Sequence, residues 1–228
     1  MKARTTVTIA RRMGSGGAYV GQGIAKRLGL RYIDREVLHL CAESLGVDEK
    51  SLEPNRERVS TFWERLFGGL TFGPPESPYA PPPLRTYTDR QLFERQVEVL
   101  REIAAREDCL IVGYGGAYVL PRHARMVNFY FHAPLETRIR RVMELYKIED
   151  RERAKELIAR SDETRQRYFK QMIGRDWACA DNYHVCVDTS MLPLPELVER
   201  LVHFIGRRLG AKQEDNHDLQ RIRSVGAR

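Results

Sequence analysis

Apolar runs and amphipathic stretches alternate along most of the chain. Short apolar or β-branched runs occupy residues 5–10, 109–113, 125–133 and 183–190, and a briefer one, "RYID", ends at Asp34. Most are followed by a longer stretch whose apolar residues recur every three or four positions, as in an amphipathic helix. Strands that alternate with helices indicate a parallel sheet covered on both faces, with right-handed crossovers. The pattern therefore predicts an α/β fold.

The amphipathic stretches predict helices of 11 residues or more, several of them closed by a glycine. They lie at residues 18–28, 35–46, 88–107, 134–146, 149–172 and 193–210.

Two segments interrupt this alternation. Residues 67–87 are dense in glycine and proline, and proline fixes φ and lacks the N–H that a regular element needs. We interpret them as a connection inside an insertion. Residues 211–228 contain few apolar side chains and are predicted to be disordered. The folded domain is therefore predicted to span residues 1–210.

Composition narrows the possible partners. The chain has 228 residues, of which 42% are hydrophobic, enough for the core of one domain with an insertion. Its net charge of +7 favours anionic partners, either nucleic acid or phosphorylated small molecules. No apolar run is long enough for a membrane span, and no aromatic-basic module is visible, which ranks nucleic acid last.

The cysteines predict neither a zinc site nor a disulfide framework. No two of the 4 cysteines have C-x-x-C spacing, and no His/Cys cluster accompanies them. This usage fits a reduced, cytoplasmic setting. Cys109 and Cys186 lie in strand-like runs, where we expect small buried residues.

A glycine cluster, "RRMGSGGAY", joins the first strand to the first helix. Backbone N–H groups and the positive end of a helix dipole bind anions at such a junction. When this cluster is aligned with the phosphate-loop pattern G-x-x-x-x-G-K-[ST], Gly16 takes the second glycine position. A phosphate loop and a tight glycine turn both remain possible. The candidate phosphate-binding residues are Arg11, Arg12, Gly14, Ser15, Gly16, Gly17 and Ala18.

The same alignment shows what the loop lacks. Arg11 stands at the first glycine, Gly17 at the lysine and Ala18 at the hydroxyl residue that holds Mg²⁺. Arg11 and Arg12 can replace the missing positive charge, since a guanidinium bonds two phosphate oxygens at once, unless they point to solvent. The sequence names no ligand for Mg²⁺.

Further motifs follow in a characteristic order: "RYIDRE", "LFERQVEVLREIA", "CLIVGYGGAYVL", "FHAPLETRIRRVM", "DETRQRYFKQMIGRDW" and "NYHVCVDTS". Together with "GSGG", this set resembles the cytidylate kinase-like family of P-loop nucleoside monophosphate kinases. The resemblance implies a P-loop kinase fold with a five-stranded parallel sheet flanked by helices. It also implies an acceptor-binding insertion at about 35–95, a lid at about 148–178, and ATP with Mg²⁺ as the donor.

The resemblance also implies roles for residues of the lid. Asp162 and Arg165 match a D-x-x-R pattern whose carboxylate bonds an acceptor sugar hydroxyl and whose arginine meets phosphate. Arg165, with Arg160 and Arg167, is a candidate catalytic cation, because phosphoryl transfer needs alignment and positive charge. A solvated helix carrying i,i+4 pairs such as Glu163–Arg167 is the alternative.

The acceptor side departs from the family pattern. Gly113, Tyr114 and Gly115 stand where the family has Gly-Arg-Asp. Tyr114 can stack on a base or donate a hydrogen bond but carries no charge, so the acceptor stays open. Asp34 is retained, either as an acceptor contact or as the cap of the next helix. Of Arg138, Arg140 and Arg141 in the "FHAP" helix, some are expected near the cleft and at least one in solvent.

Two functions follow. The first is an ATP-dependent phosphotransferase that acts on a nucleoside monophosphate or a related small acceptor. The second is a catalytically weak nucleotide-binding protein with a regulatory or interaction role, which the missing lysine favours. The oligomeric state stays open.

Overall fold

The computed structural model describes residues 4–34 and 87–210, with side chains from residue 93 onward in the second range. The predicted helix at 35–46, nearly all of the stretch 67–87 and the tail at 211–228 lie outside these ranges. Most of the proposed acceptor-binding insertion lies outside them as well.

Strands and helices alternate along the described chain. The strands are β1 (Thr6–Arg11), β2 (Arg31–Ile33), β3 (Cys109–Val112), β4 (Met126–His132) and β5 (Val185–Asp188). The helices are α1 (Gly17–Leu28), α2 (Tyr87–Arg106), α3 (Gly116–Val119), α4 (Leu135–Tyr146), α5 (Arg151–Ile173) and α6 (Leu194–Gly210), with a 3₁₀ turn at Ala180–Asn182.

The strands form one parallel sheet in the order β2-β3-β1-β4-β5. β1 is central, with Ile9 opposite Val112 on β3 and opposite Phe129 on β4. The chain leaves β1 toward one edge and later crosses from β3 past β1 to β4. Ligands of open α/β sheets bind outside the carboxyl ends of the strands where the direction of winding changes. The loop after β1 lies at this point.

The two faces of the sheet bury separate apolar layers, as the alternation of side chains along a strand requires. Leu110 and Val112 pack in one cluster with residues of α1 and α6, including Ile24 and Val198. Ile111 packs on the other face, in the cluster that contains residues of α2. Both layers are built on buried side chains, so the sheet is a well-packed platform for the loops at its carboxyl edge.

The predicted α/β fold with five parallel strands is confirmed. All five predicted strands are present, and the five predicted helices that fall within the described residues have bounds that agree within two residues. The sequence analysis missed α3 and the 3₁₀ turn, because four and three residues are too short for a periodic pattern. Cys109 is buried as expected, but the expectation for Cys186 is wrong, because it lies exposed on edge strand β5. Among the described residues, no helix is both long and apolar enough to cross a bilayer.

Candidate phosphate-binding site

The glycine loop between β1 and α1 is the first element of the site. Gly14 and Gly16 both have φ of +76°, a left-handed conformation that glycine adopts without strain. Left-handed residues within such a turn gather successive N–H groups into a concavity that binds anions. Gly16 also caps α1, so the positive end of that helix faces the same junction.

Close packing explains why the lysine position carries a glycine. A Cβ on Gly17 would lie 2.9 Å from both Cβ and Cδ of Arg11, and 3.3 Å from Phe131. The Arg11 stem therefore fills the space where a side chain at position 17 would begin. The arginine at the first marked position and the missing lysine are structurally linked departures, rather than two independent losses.

Two arginines of α4 hold the loop from one side. Arg138 Nη1 donates to the carbonyl of Met13 at 3.2 Å, and Arg141 Nη1 donates to the carbonyl of Ser15 at 3.2 Å. Arg138 is only 6% exposed. Thr189, which follows β5, is also buried and donates through Oγ1 to the Ser15 carbonyl at 2.5 Å.

Helix α5 contacts the loop through the predicted D-x-x-R pair. Asp162 Oδ1 accepts from the N–H of Met13 at 3.0 Å, while its Oδ2 lies 2.6 Å from Arg138 Nη1. Arg165 is buried, and its Nη1 donates to the carbonyl of Arg11 at 3.1 Å. The structure therefore brings Asp162 and Arg165 against the loop residues that the sequence analysis selected.

Arg12 extends toward β4, where its Nε donates to the hydroxyl of Tyr130 at 2.9 Å. Burial raises the pKa of Tyr130 above its ordinary value, although the neighbouring Arg12 acts in the opposite direction. The Tyr130 ring stacks on Tyr183 and meets Trp177 edge to face. Arg12 is thus anchored to a packed aromatic cluster rather than pointing freely into solvent.

The other candidate residues line the neighbouring strand ends. Arg11 Nη2 lies 3.7 Å from Asp34 Oδ1, and the hydroxyl of Tyr32 donates to Asp34 Oδ2 at 3.2 Å. Burial is the main cause that raises the pKa of Tyr32, and the charge of Asp34 acts in the same direction. Asp34 therefore lies close to the loop, at the carboxyl end of β2.

A second glycine turn joins β3 to α3. Gly113, Tyr114 and Gly115 have φ of +87°, +52° and +70°. A Cβ on Gly115 would lie 2.9 Å from Phe169 Cε1, and the Tyr114 carbonyl accepts from Gln96 Nε2 at 3.5 Å. The Tyr114 side chain packs partly against the apolar layer beneath α2.

Not every predicted cation lies at the loop. Arg160 and Arg167 are exposed on α5, and Arg167 Nη2 lies 2.6 Å from Glu163. Arg140 is exposed on α4, as the sequence analysis expected for at least one arginine there. Thr189 was missed as a site residue. Its position directly after the last strand was the available signal, since strand ends meet at one edge of a parallel sheet.

These residues fit the phosphates of a nucleotide. The loop combines left-handed glycines with positive charge from nearby guanidinium groups, three of which donate to carbonyls of the loop itself. Ser15 Oγ is fully buried within the loop and has no hydrogen-bond partner among the described residues. Residues 4–34 and 87–210 contain no group of three acidic, histidine or cysteine side chains that fits a metal ion.

Comparison with known proteins agrees with the motifs. The model of the cytidylate kinase-like family matches residues 6–191. A cytidylate kinase of Ignicoccus hospitalis is 27% identical over 202 residues, which cover 88% of this chain and 99% of that protein.

Solved structures share the fold. An uncharacterized protein from Eubacterium ventriosum superposes with a TM-score of 0.63 at 17% identity, covering 89% of this chain and 99% of that one. A gluconokinase from Sinorhizobium meliloti gives a TM-score of 0.51 at 17% identity, with 91% and 94% covered. The predicted P-loop kinase fold is thereby confirmed.

Proposed function

The chain belongs to the cytidylate kinase-like family, and we propose that it transfers the terminal phosphoryl group of ATP to a nucleoside monophosphate or a related small acceptor. Family and fold support phosphoryl transfer to a nucleotide or small acceptor. The observation that carries the proposal is the glycine loop at the centre of the sheet, surrounded by arginines that the chain itself supplies.

In this proposal the loop binds the donor phosphates. The N–H groups of Gly14, Gly16, Gly17 and Ala18 at the N-terminus of α1 bond the phosphate oxygens, with positive charge from Arg11 and Arg12. The Ser15 N–H donates to the Arg12 carbonyl at 3.2 Å and so stabilises the turn. Phosphoryl transfer needs little covalent help from a protein. It needs aligned reactants and positive charges in a site shielded from water. Mg²⁺ bound to the nucleotide supplies further neutralisation of the phosphates, and no step here depends on a protein ligand for it.

Arg165 is the proposed catalytic cation. Its side chain extends from α5 to the loop, where a guanidinium can neutralise negative charge on the phosphoryl group during transfer. We propose that residues 148–178 form the lid, which excludes water from the transfer. Arg160 and Arg167 add a weaker positive field from the exposed side of α5.

The acceptor is proposed to bind at the carboxyl ends of β2 and β3. Asp34 supplies a carboxylate at this edge, and Tyr114 supplies an aromatic ring and a hydroxyl. In this proposal Arg165, which lies beside the loop, serves acceptor phosphate as well as donor phosphate. The absence of charge at Tyr114 favours an acceptor whose base is recognised by stacking or by a neutral hydrogen bond.

A catalytically weak nucleotide-binding protein is the second candidate. Gly17 and Ala18 provide neither the lysine nor the hydroxyl of a complete phosphate loop. Such a protein would retain ATP binding through the loop amides and lack turnover.

The test is to incubate the protein with ATP, Mg²⁺ and a panel of nucleoside monophosphates, and to measure ADP and diphosphate products. Arg165→Ala is expected to lower turnover by about 10³-fold or more, as removal of an arginine finger does. Arg153→Ala is the matched control, since Arg153 is exposed on the same helix and has no proposed role.

Each alternative outcome has a distinct meaning. ATP binding without turnover on any acceptor would support the weak nucleotide-binding protein. Equal turnover of Arg165→Ala and the Arg153→Ala control would reject the catalytic role of Arg165.

A further inference from the structure

We propose that Arg138 and Arg141 of α4, together with Asp162 of α5, are positioning residues for the glycine loop. They turn its peptide groups toward the bound phosphates instead of contacting phosphate themselves. This inference rests on the proposed function, because it explains how the loop that binds the donor acquires its shape.

The orientation follows from the hydrogen bonds to the loop carbonyls. Arg138 and Arg141 bind the carbonyls of Met13 and Ser15. In a trans peptide the C=O of one residue points opposite to the N–H of the next, and the described residues contain no cis peptide bond. The N–H groups of residues 14 and 16 therefore face away from α4. Fixing the two carbonyls fixes the direction of two loop amides.

Asp162 completes the hold on Met13. Its Oδ1 accepts from the Met13 N–H at 3.0 Å, and its Oδ2 pairs at 2.6 Å with the same Arg138 nitrogen that binds the Met13 carbonyl. One ion pair thus binds both polar groups of a single loop residue. The side chains of Arg138 and Asp162 are 7% and 16% exposed, so solvent screens the pair weakly.

Arg141 is fixed in a comparable way at the other side of the loop. Its Nη1 and Nη2 donate to Oγ1 and to the carbonyl of Thr189, each at 2.9 Å. Thr189 Oγ1 in turn donates to the Ser15 carbonyl. Thr189, after β5, and Arg141, on α4, therefore both donate to the carbonyl oxygen of Ser15. Two donors on one oxygen are expected where a contact fixes the orientation of a peptide group.

The resemblance implies a different role for Asp162, namely binding of an acceptor sugar hydroxyl. Both of its oxygens are instead engaged with Met13 and Arg138. The direction in which anion binding changes when Asp162 is removed distinguishes a positioning role from a purely Coulombic one. Removing a carboxylate beside an anion site strengthens anion binding if charge alone matters. Removing a positioning carboxylate weakens anion binding, because the amides lose their direction.

The experiment measures the binding of ATP and of tripolyphosphate to the full chain by isothermal titration calorimetry. Asp162→Ala is expected to weaken both probes by about 10- to 100-fold, the usual effect of removing a group that orients ligands. Asp162→Asn is expected to fall between Asp162→Ala and wild type, since its Oδ1 can still accept from Met13. Arg140→Met, on the exposed face of α4, is the control and should bind like wild type.

Unchanged or tighter binding of tripolyphosphate by Asp162→Ala would overturn the proposal, and a raised acceptor KM in that variant would assign Asp162 to the acceptor. If Asp162→Ala fails to fold, the double variant Asp162→Asn/Arg138→Met removes the ion pair without leaving a lone buried charge. Its weakened binding of tripolyphosphate would support the proposal, and wild-type binding would overturn it.

A ligand-free measurement separates this inference from the proposed function. If the wild-type protein binds neither probe, the proposed function fails, and exchange of the Met13 amide with solvent still tests the positioning role. Exchange that is at least about tenfold faster in Asp162→Ala than in Arg140→Met would support it, since a lost hydrogen bond opens the amide. Equal exchange in the two variants would overturn it.

Discussion

Two glycine turns at the same edge of the sheet have similar backbones and different surroundings. The turn after β1 has left-handed residues at Gly14 and Gly16, and the turn after β3 has them at positions 113, 114 and 115. Each ends in a left-handed glycine that caps a helix. The first is surrounded by guanidinium groups, whereas a side chain on Gly115 would meet the aromatic ring of Phe169.

This difference shows that glycine spacing supplies the shape of an anion site but not its chemistry. The first turn opens a helix of 12 residues and the second a helix of 4, so the dipole behind them differs as well. Charge and helix length support the proposal that the donor phosphates bind at the first turn. The residues of the second turn carry no charge themselves, although the Arg11 guanidinium also reaches this turn, because a Cβ on Gly113 would lie 3.4 Å from Arg11 Nη1. In the proposed function this turn meets the part of an acceptor that carries no phosphate.

The strongest test of this contrast places a methyl group in each turn. In Gly14→Ala the new Cβ would lie 2.8 Å from the backbone oxygen of Arg138, and in Gly115→Ala it would lie 2.9 Å from Phe169. Both variants should lose about 1–3 kcal/mol of folding free energy through the left-handed backbone. Turnover should fall by about 10²-fold or more in Gly14→Ala, since the loop shifts away from its bound geometry.

Thermal unfolding measures the loss of folding free energy, steady-state kinetics measure the loss of turnover, and an ATP titration shows whether donor binding is lost with it. Gly29→Ala is the control, because its φ is +64° and nothing lies within 4 Å of the added Cβ. Near wild-type ATP binding in Gly14→Ala, or a loss confined to Gly115→Ala, would reverse the assignment of the two turns.

A second test restores the missing lysine. Gly17→Lys alone should weaken ATP binding by about tenfold, because overpacking against the Arg11 stem costs about 1–3 kcal/mol. The double variant Arg11→Gly/Gly17→Lys should recover binding to wild-type strength or better. Gly17→Ala and Arg11→Gly/Gly17→Ala control for the Cβ without the charge. Additive losses would show that the two positions are independent.

The sequence was sufficient for the sheet and for the loop, because both depend on local patterns. Strand runs such as "CLIVG" and the glycine cluster are readable in a few consecutive residues. The sequence was not sufficient to tell which arginines of α4 and α5 contact the loop and which lie in solvent. Arg138, Arg140 and Arg141 look alike in the chain, yet two bind loop carbonyls and one lies in solvent.

Their separation depends on the tertiary packing of two helices against a distant loop. The bond between Met13 and Asp162 joins residues 149 positions apart, beyond the reach of any local pattern. Asp162 and Arg165, which the resemblance selected, both contact the loop, but the resemblance carried no information on which atoms they bind.

A smaller effect is expected at the second turn. Tyr114→Phe removes only the hydroxyl and should raise the acceptor KM by less than about tenfold, the cost of one neutral hydrogen bond. ATP binding should stay unchanged, because Tyr114 lies outside the first turn. Steady-state kinetics with acceptor and ATP varied separately measure both constants. A raised KM for ATP with an unchanged acceptor KM would contradict the separation of the two turns.

The smallest effect involves neither turn. His184 Nδ1 accepts from the N–H of Asn128 at 3.0 Å, and burial, aided by nearby arginines, lowers the pKa of His184. Because the folded pKa is below the unfolded value of about 6.5, its stabilisation is present above that pH and is lost as pH falls through the folded pKa.

His184→Asn keeps an acceptor without titrating, so it should reduce this pH dependence, and only slightly, because the exposed His184 side chain is screened by solvent. Urea unfolding between neutral and mildly acidic pH measures it, with ATP binding as the readout that should not change. Identical pH profiles for variant and wild type would exclude His184 as the source.

The most direct test of the account is a titration of ¹⁵N-labelled protein with ATP, followed by the shifts of the glycine amides. The account predicts that the amides of Gly14, Gly16 and Gly17 move on binding, while those of Gly113 and Gly115 stay near their starting positions. Shifts confined to Gly113 and Gly115, or no shift at Gly14 and Gly16 at saturating ATP, would contradict it.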